Sequence, residues 1–185
     1  MVESVKRPWS VMTCAAAAVH HAFELASGVG LVFQPYLGMT GAAVLWGTAM
    51  PAWFVVAARG SERWNPPLAY AAGMSFGGAV LHFTLWPWSA HRGIPLLDEA
   101  EGLRPEAMPA YNAIIWTWGL SAAGALVRET RRRDLAAALL GVATAFALRP
   151  SARHHFVWVR EQARVRPAWW NRALVQRSEA APPVP

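Results

Sequence analysis

The sequence predicts an all-α protein: a polytopic transmembrane bundle of five helices, followed by a basic amphipathic tail. Of the 185 residues, 55% are hydrophobic and only 15% are charged, whereas soluble domains carry roughly 25% charged residues. The apolar residues also fall in long blocks, as in membrane-spanning helices. We therefore divide the chain into a helical domain, residues 1–149, and a basic interfacial tail, residues 150–185, which we expect to be partly disordered.

Four apolar runs are long enough to span a bilayer, which takes about 17–25 residues. They cover residues 9–33, 41–58, 68–88 and 111–127. A fifth run, residues 135–148, has 14 residues, no charge and arginine on both sides, so we interpret it as a short or re-entrant helix. With the amino terminus inside, four spans place 15 Lys and Arg inside and 2 outside, whereas five spans place 8 inside and 9 outside. The orientation therefore stays open.

The net charge of +6 comes almost entirely from arginine. Because the arginines flank apolar segments, we expect contacts with anionic membrane lipids and no binding of nucleic acid. The first apolar run is too long for a cleavable signal peptide. The single cysteine, Cys14, excludes an intrachain disulfide. These features predict a multi-pass protein of the cell membrane.

Glu24 is the one acid inside the first apolar run, where a carboxylate costs about 3 kcal/mol or more. At 100° per residue, Thr13, His20, Glu24 and Ser27 fall within about 60° of one another, whereas His21 points roughly 100° away from His20. A polar stripe on an apolar helix should face the bundle interior. It predicts a functional site; the alternative is an interhelical hydrogen-bond network that only joins helices.

The third run repeats this pattern more weakly. Ser75 and His82 are seven residues apart and share a face, and Gly73 and Gly77 have the small-xxx-small spacing of close helix packing. His82 is either a hydrogen-bonded core residue or a pocket residue, and with His20 it has the ligand type for haem. Because no HExxH or CxxC spacing is present, we assign no metal site and no cofactor.

Tryptophans recur deep within the runs, notably Trp46, Trp53 and Trp116. An interfacial aromatic belt is the alternative, and it suits Trp86 and Trp88 at a run's end. A desolvated tryptophan face attracts a cation by up to about 2 kcal/mol or more, so such a pocket favours a carbocation. The candidate substrate contacts are Trp46, Trp53, Phe76, His82, Phe83, Trp86, Tyr111, Asn112 and Trp116.

The loop between the third and fourth runs holds four of the 11 acids, including Asp98, Glu99 and Glu101. We expect it to supply a second carboxyl to the cavity of Glu24. Two alternatives are a solvated interfacial loop and a set of Mg²⁺ ligands for a diphosphate. The Mg²⁺ alternative lacks support, because the chain has neither another acidic motif nor a glycine-rich phosphate cradle.

Together these residues predict acid catalysis inside a membrane. Burial keeps a carboxyl protonated at neutral pH, and a protonated carboxyl in a dry aromatic cavity can protonate an alkene or epoxide. The candidate catalytic residues are Glu24, His20, Asp98, Glu99 and Glu101. The substrate would be a lipid-soluble small molecule. The rival function is a non-catalytic membrane subunit that binds haem, quinone or a partner protein.

The segment 20–24, the acidic segment 98–103 and the following Tyr111 and Asn112 resemble the small actinobacterial integral-membrane terpene cyclases of the drimentine (indole sesquiterpene) type. The resemblance covers roughly residues 9–172. It implies cyclisation of a prenyl chain by direct protonation, without diphosphate loss. Glu24 would be the acid or its support, and an acid of the segment 98–101 its partner.

A fainter resemblance is to the emopamil-binding sterol isomerases, which also have five spans and a His-xxx-Glu pair like His20 and Glu24. Their Asn followed by Trp is similar to Asn112 and Trp116, although the spacing around Asn112 departs from theirs. The third run also lacks their acidic residue. This resemblance implies double-bond isomerisation of a sterol or isoprenoid, which is likewise alkene protonation.

Overall fold

A computed structural model of the protein describes residues 6–100, 102–171 and 174. These residues form the predicted five-helix bundle, a small two-stranded hairpin and a further helix near the carboxyl end. The all-α prediction is therefore confirmed. The elements are α1 (Pro8–Ala26), α2 (Gln34–Arg59), α3 (Asn65–Leu85), β1 (Trp88–His91), β2 (Ile94–Leu97), α4 (Met108–Arg128), α5 (Leu135–Ala147) and α6 (Arg149–Val165).

The first helix ends at Ala26 and does not reach residue 33 as predicted. Gly28 and Gly30 follow with φ of 87° and 81°, values that glycine adopts without steric cost. The chain turns there and enters α2 earlier than its apolar pattern indicates. Within α2 the helix is interrupted at Gly38, where φ is 68°, so the regular apolar run begins only after that kink.

The amino-terminal end of α1 is held by side chains from other helices. Glu129 at the end of α4 accepts hydrogen bonds from the backbone N–H of Trp9 at 2.7 Å and of Ser10 at 2.9 Å. A carboxylate in this position satisfies free N–H groups and suits the positive end of the helix dipole. Buried Arg7 donates to Asn65 Oδ1 at 2.7 Å. These bonds tie α1 to both α4 and α3.

Helices α3 and α5 pack with their backbones in direct contact. A methyl group at Gly73 would lie 2.0 Å from the carbonyl oxygen of Ala138, and one at Gly141 would lie 2.1 Å from that of Tyr70. Only glycine fits at either position. The predicted packing role of Gly73 and Gly77 is confirmed, since a methyl group at Gly77 would lie 2.8 Å from Cβ of the α5 residue Ala145.

A β-hairpin replaces the irregular loop expected after α3. Strands β1 and β2 pair antiparallel, with Trp88 opposite Leu97. Asn112 of α4 clamps the hairpin: its Oδ1 accepts from Leu97 N at 2.8 Å, and its Nδ2 donates to Leu97 O at 3.0 Å. Trp116, one turn later, donates its indole N–H to Pro95 O at 2.8 Å. The hairpin is thus fixed on the flank of α4.

The expected interfacial tail is in large part a folded element, since α6 packs back on the bundle. Its buried His155 contacts the carbonyl oxygen of Val29 through Nε2 at 3.1 Å. A small apolar cluster joins Val159 and Trp170 to Leu25. The division at residue 150 therefore does not separate the tail from the fold. The disorder expected at residues 180–185 concerns a segment outside the described residues.

Three helical segments are long and apolar enough to cross a membrane: Gln34–Arg59, Glu62–Leu85 and Arg132–Val165. Large apolar side chains on α2 point outward, including Val44, Phe54 and Val55. Such a surface is typical of a helix that faces lipid rather than water. The first helix, predicted to be a span, is less hydrophobic than these three segments, because its carboxyl-terminal half carries two histidines and Glu24.

Candidate functional site

Glu24 lies inside the bundle, with 2% of its surface exposed. Its Oε1 is 3.1 Å from His20 Nε2, and its Oε2 is 3.4 Å from His21 Nδ1. The hydroxyl of Tyr111, on α4, donates to Oε1 at 3.2 Å. Helical geometry explains the first two contacts, because positions i, i+3 and i, i+4 are neighbours on a helix surface. His20 was predicted beside the carboxyl, and the structure adds His21 and Tyr111.

His21 belongs to this cluster, although the prediction left it out of the polar stripe. Its ring also packs on Trp46, with ring centroids 4.2 Å apart. On a helix His21 lies about 100° from His20 but only about 60° from Glu24, on the other side of that carboxyl. The i, i+3 spacing of His21 and Glu24 was the signal in the sequence.

Aromatic rings surround His20 on the side away from Glu24. Trp118 stacks on its ring at 4.9 Å, and His82 meets it edge-on at 5.0 Å. The Nδ1 of His82 donates to the backbone carbonyl of Gly78 at 2.7 Å, since a carbonyl oxygen can only accept. Because the rings of His20 and His82 are in direct contact, no porphyrin fits between them. The geometry therefore contradicts the pair as axial haem ligands.

A cavity of about 260 Å³ opens beside the cluster. His20, His21, Glu24 and His82 lie together in its wall. Apart from Ser75 and Ser151, the rest of the wall is apolar or aromatic, and most of it comes from α2 and the turn before it, α3, the α5–α6 junction and Trp118 of α4. It includes Phe33, Trp46, Met50, Trp53, Tyr70, Met74, Leu81, Trp118, Leu148 and Phe156.

Three of the predicted substrate contacts line this cavity: Trp46, Trp53 and His82. Tyr111 lies behind Glu24 and is buried. Asn112 and Trp116 are not in the wall, because their side chains bind the hairpin. Trp118, two residues after Trp116 and so on the opposite side of α4, takes the place that the sequence gave to Trp116.

The remaining predicted contacts, Phe76, Phe83 and Trp86, also lie outside the cavity wall. Phe83 packs on Trp116 with ring centroids 6.1 Å apart. Trp86 packs on Phe156 at 5.3 Å, so it touches the cavity only through that neighbour. The sequence could not separate these roles, because the third run is apolar all round its circumference.

Two acids of the loop, Asp98 and Glu99, stand outside the cavity. They are exposed at the end of the hairpin, and Asp98 accepts a hydrogen bond from the hydroxyl of Ser89 at 2.7 Å. Neither residue lines the cavity, which contradicts the expected two-carboxyl site for these two. Leu97 and Ala100, on either side of them, pack in the core cluster that includes Tyr111. Glu101 lies outside the described residues.

No family model matches the chain, and neither the curated proteins nor the solved structures contain a match. The class of protein is therefore defined by fold and site alone. It is a helical bundle with membrane-spanning capacity that buries a carboxyl, three histidines and a tyrosine beside an apolar cavity.

Proposed function

We propose that the protein is a multi-pass cell-membrane enzyme that protonates a carbon–carbon double bond or an epoxide of a lipid-soluble isoprenoid. The observation that carries the proposal is the position of Glu24 among His20, His21 and Tyr111 at the wall of an apolar, tryptophan-lined cavity. The apolar wall keeps water away from this carboxyl, as proton transfer to an alkene requires. The resemblance to membrane terpene cyclases leads to the same chemistry.

The reaction would begin when Glu24 gives its proton to one alkene carbon. The two π electrons form the new C–H bond, and the neighbouring carbon becomes a carbocation. A second double bond of the same chain attacks that cation and closes a ring. A proton then leaves the adjacent carbon for the Glu24 carboxylate, which restores the acid. An epoxide would take the first proton on its oxygen, which becomes a hydroxyl group. In both cases the product is an isomer of the substrate.

His20 and Tyr111 would position the carboxyl and distribute its charge after proton transfer. His20 Nε2 is 3.1 Å from Oε1, and the Tyr111 hydroxyl donates to the same oxygen at 3.2 Å. Hydrogen bonds to the charged form stabilise the carboxylate. Such bonds lower the barrier to proton release without placing an uncompensated charge in the bundle.

The aromatic wall would stabilise the carbocation. Trp46, Trp53 and Trp118 line the cavity from two helices, and an indole face attracts a cation more strongly when water is excluded. No acid except Glu24 lines the cavity within the described chain. Among the described residues of the wall, a cation formed there meets π faces and the Glu24 carboxylate that takes the proton back.

The cavity's volume limits what it can hold. Its 260 Å³ is roughly nine times the ~30 Å³ share of one water molecule, and lies just below the usual 300–1,000 Å³ of ligand pockets. We expect the reacting end of a prenyl chain to enter it, while a bulky aromatic head group stays outside. The lipid-like outer face of α2 is consistent with entry from the bilayer.

The test supplies a farnesylated aromatic acceptor to the purified protein in nanodiscs made with deuterated water. We expect a product of unchanged mass in ordinary water and incorporation of one deuterium in deuterated water. Glu24→Gln should lower turnover by roughly 100-fold to 10,000-fold, the usual contribution of a general acid. Glu99→Gln is the matched control, because the same change falls on an exposed carboxyl, and it should retain full turnover.

Full activity of Glu24→Gln, or a product without deuterium, would contradict the proposal. The number of rings in the product, counted by NMR, separates the cyclase from the double-bond isomerase. Both reactions preserve mass, but only cyclisation converts a double bond into a ring.

A further inference from the structure

Three potential metal ligands lie together on one turn of α1. One ring nitrogen of His20, one of His21 and a carboxylate oxygen of Glu24 all lie within 4.8 Å of one another. Among the described residues, this is the one group of three or more His, Cys, Asp or Glu side chains close enough to share an ion. No metal was predicted here, because the segment contains none of the common zinc motifs.

The spacing of these atoms is close to that of a coordination shell. Zinc bonds to imidazole nitrogen and carboxylate oxygen are about 2.0–2.2 Å long. At angles between 90° and the tetrahedral value, such bonds separate neighbouring ligand atoms by about 3.0–3.4 Å. His20 Nε2 is 3.1 Å from Oε1 of Glu24, and His21 Nδ1 is 3.4 Å from Oε2. To share one ion, the carboxylate must turn one oxygen toward both rings. The ligand nitrogens of the two histidines, at most 4.8 Å apart, must also approach each other, which rotation of the His21 ring can achieve.

We infer that His20, His21 and Glu24 bind a divalent transition-metal ion of the Zn²⁺ type. Two imidazoles and one carboxylate suit Zn²⁺ and its neighbours in the first transition row, whereas Mg²⁺ and Ca²⁺ take oxygen ligands. The hydroxyl of Tyr111, which donates to Glu24 Oε1, would support the carboxylate from outside the shell. All three ligands line the cavity, so the fourth coordination position faces it.

Metal binding and acid catalysis exclude one another at this cluster. A metal requires neutral imidazoles and an ionised carboxylate, so binding removes the proton that Glu24 would transfer. Zn²⁺ should therefore inhibit the alkene protonation proposed above. This consequence rests on the proposed function, whereas the binding of the ion does not.

The binding test uses tag-free protein in nanodiscs, because a polyhistidine tag would bind the ion itself. After treatment with a chelator, the protein is titrated with Co²⁺, followed by visible absorption, and Co²⁺ is then displaced with Zn²⁺. We expect one Zn²⁺ per chain by elemental analysis. His20→Ala, His21→Ala and Glu24→Gln should each weaken binding at least about tenfold, since even a lost outer-shell partner costs that much. His154→Ala, at an exposed histidine of α6, is the matched control and should bind normally.

X-ray absorption on the Zn²⁺-loaded wild-type protein tests the site without any variant, and should report two imidazoles and at least one oxygen ligand. The inference is overturned if the wild-type protein binds no stoichiometric Zn²⁺ or Co²⁺. It is also overturned if the three variants bind as the wild type does, or if the spectrum lacks imidazole. Separately, loss of turnover on adding Zn²⁺, reversed by chelator, tests the regulatory consequence. A protein that binds Zn²⁺ but shows no turnover in any form would refute the proposed function and leave the metal site standing.

Discussion

The contact between α3 and α5 allows a matched pair of glycine substitutions with opposite expected effects. A methyl group at Gly73 would lie 2.0 Å from the backbone oxygen of Ala138, whereas one at Gly47, on the exposed side of α2, would meet nothing within 4 Å. Both glycines are helical, so Ala favours the helix by roughly 0.5–1 kcal/mol at either site. Only Gly73→Ala adds a clash to that gain.

The size of the effect follows from how far the helices must separate. A carbon–oxygen contact of about 3.2 Å would require α3 and α5 to part by roughly 1.2 Å at Gly73, and a backbone carbonyl cannot rotate away as a side chain can. Overpacking of a core costs about 1–3 kcal/mol, occasionally more. Separation also loosens the neighbouring contact of Gly141 with Tyr70. We therefore expect Gly73→Ala to destabilise by about 3 kcal/mol and Gly47→Ala to stabilise by up to about 1 kcal/mol.

Thermal unfolding of both variants and the wild type in one detergent, at one scan rate, measures the difference. Gly73→Ala should unfold at a clearly lower temperature, and Gly47→Ala at the wild-type temperature or above. If Gly73→Ala unfolds with the wild type, the α3–α5 backbone contact does not exist in the folded protein. If Gly47→Ala is as damaging as Gly73→Ala, the effect belongs to glycine in general rather than to this contact.

Two further substitutions test how the helices around the site are held. Asn112→Ala should destabilise the fold by about 2–4 kcal/mol, because it leaves the buried N–H and carbonyl of Leu97 without their side-chain partner. Faster proteolysis within the hairpin would report this loss, and an unchanged rate would contradict the role of Asn112 in holding the hairpin. Glu129→Ala should lower the free energy of unfolding by about 1–2 kcal/mol, because it removes the cap from the N–H groups of Trp9 and Ser10. Glu129→Gln should have an intermediate effect. Equal melting temperatures for the wild type and both variants would argue against capping.

Much of the fold could be predicted because a membrane bundle is encoded by composition and run length. The five helices follow the five apolar runs, and their ends shift only where local geometry intervenes, as at Gly28 and Gly38. The hairpin could not be predicted in this way. Its strands have four residues each, too few for a clear alternating pattern, and its position depends on Asn112, a residue distant in sequence.

The site could be predicted only along a single helix. The stripe with His20 and Glu24 is visible from periodicity, and the structure places both residues at the cavity. Which face of α4 meets that cavity depends on packing between helices. The sequence therefore predicts Trp116 in the cavity wall, whereas the structure has Trp118 there. The direction of Asp98 and Glu99 could not be predicted either, because a charge at a loop has no preferred direction until the loop's own fold is known.

The partners of the buried polar residues separate structural from functional side chains. Asn112 and Trp116 bond to backbone groups of the hairpin, which is the commonest use of a buried polar side chain. Glu24 instead contacts other side chains, those of His20, His21 and Tyr111, an arrangement that accounts for only about 10–15% of protein hydrogen bonds. A backbone partner fixes position and cannot exchange a proton at neutral pH, whereas imidazole, phenol and carboxyl can. Both kinds of residue look alike in the sequence, but in the described part of the chain Glu24, His20 and His21 combine exchangeable partners with a place on the cavity wall.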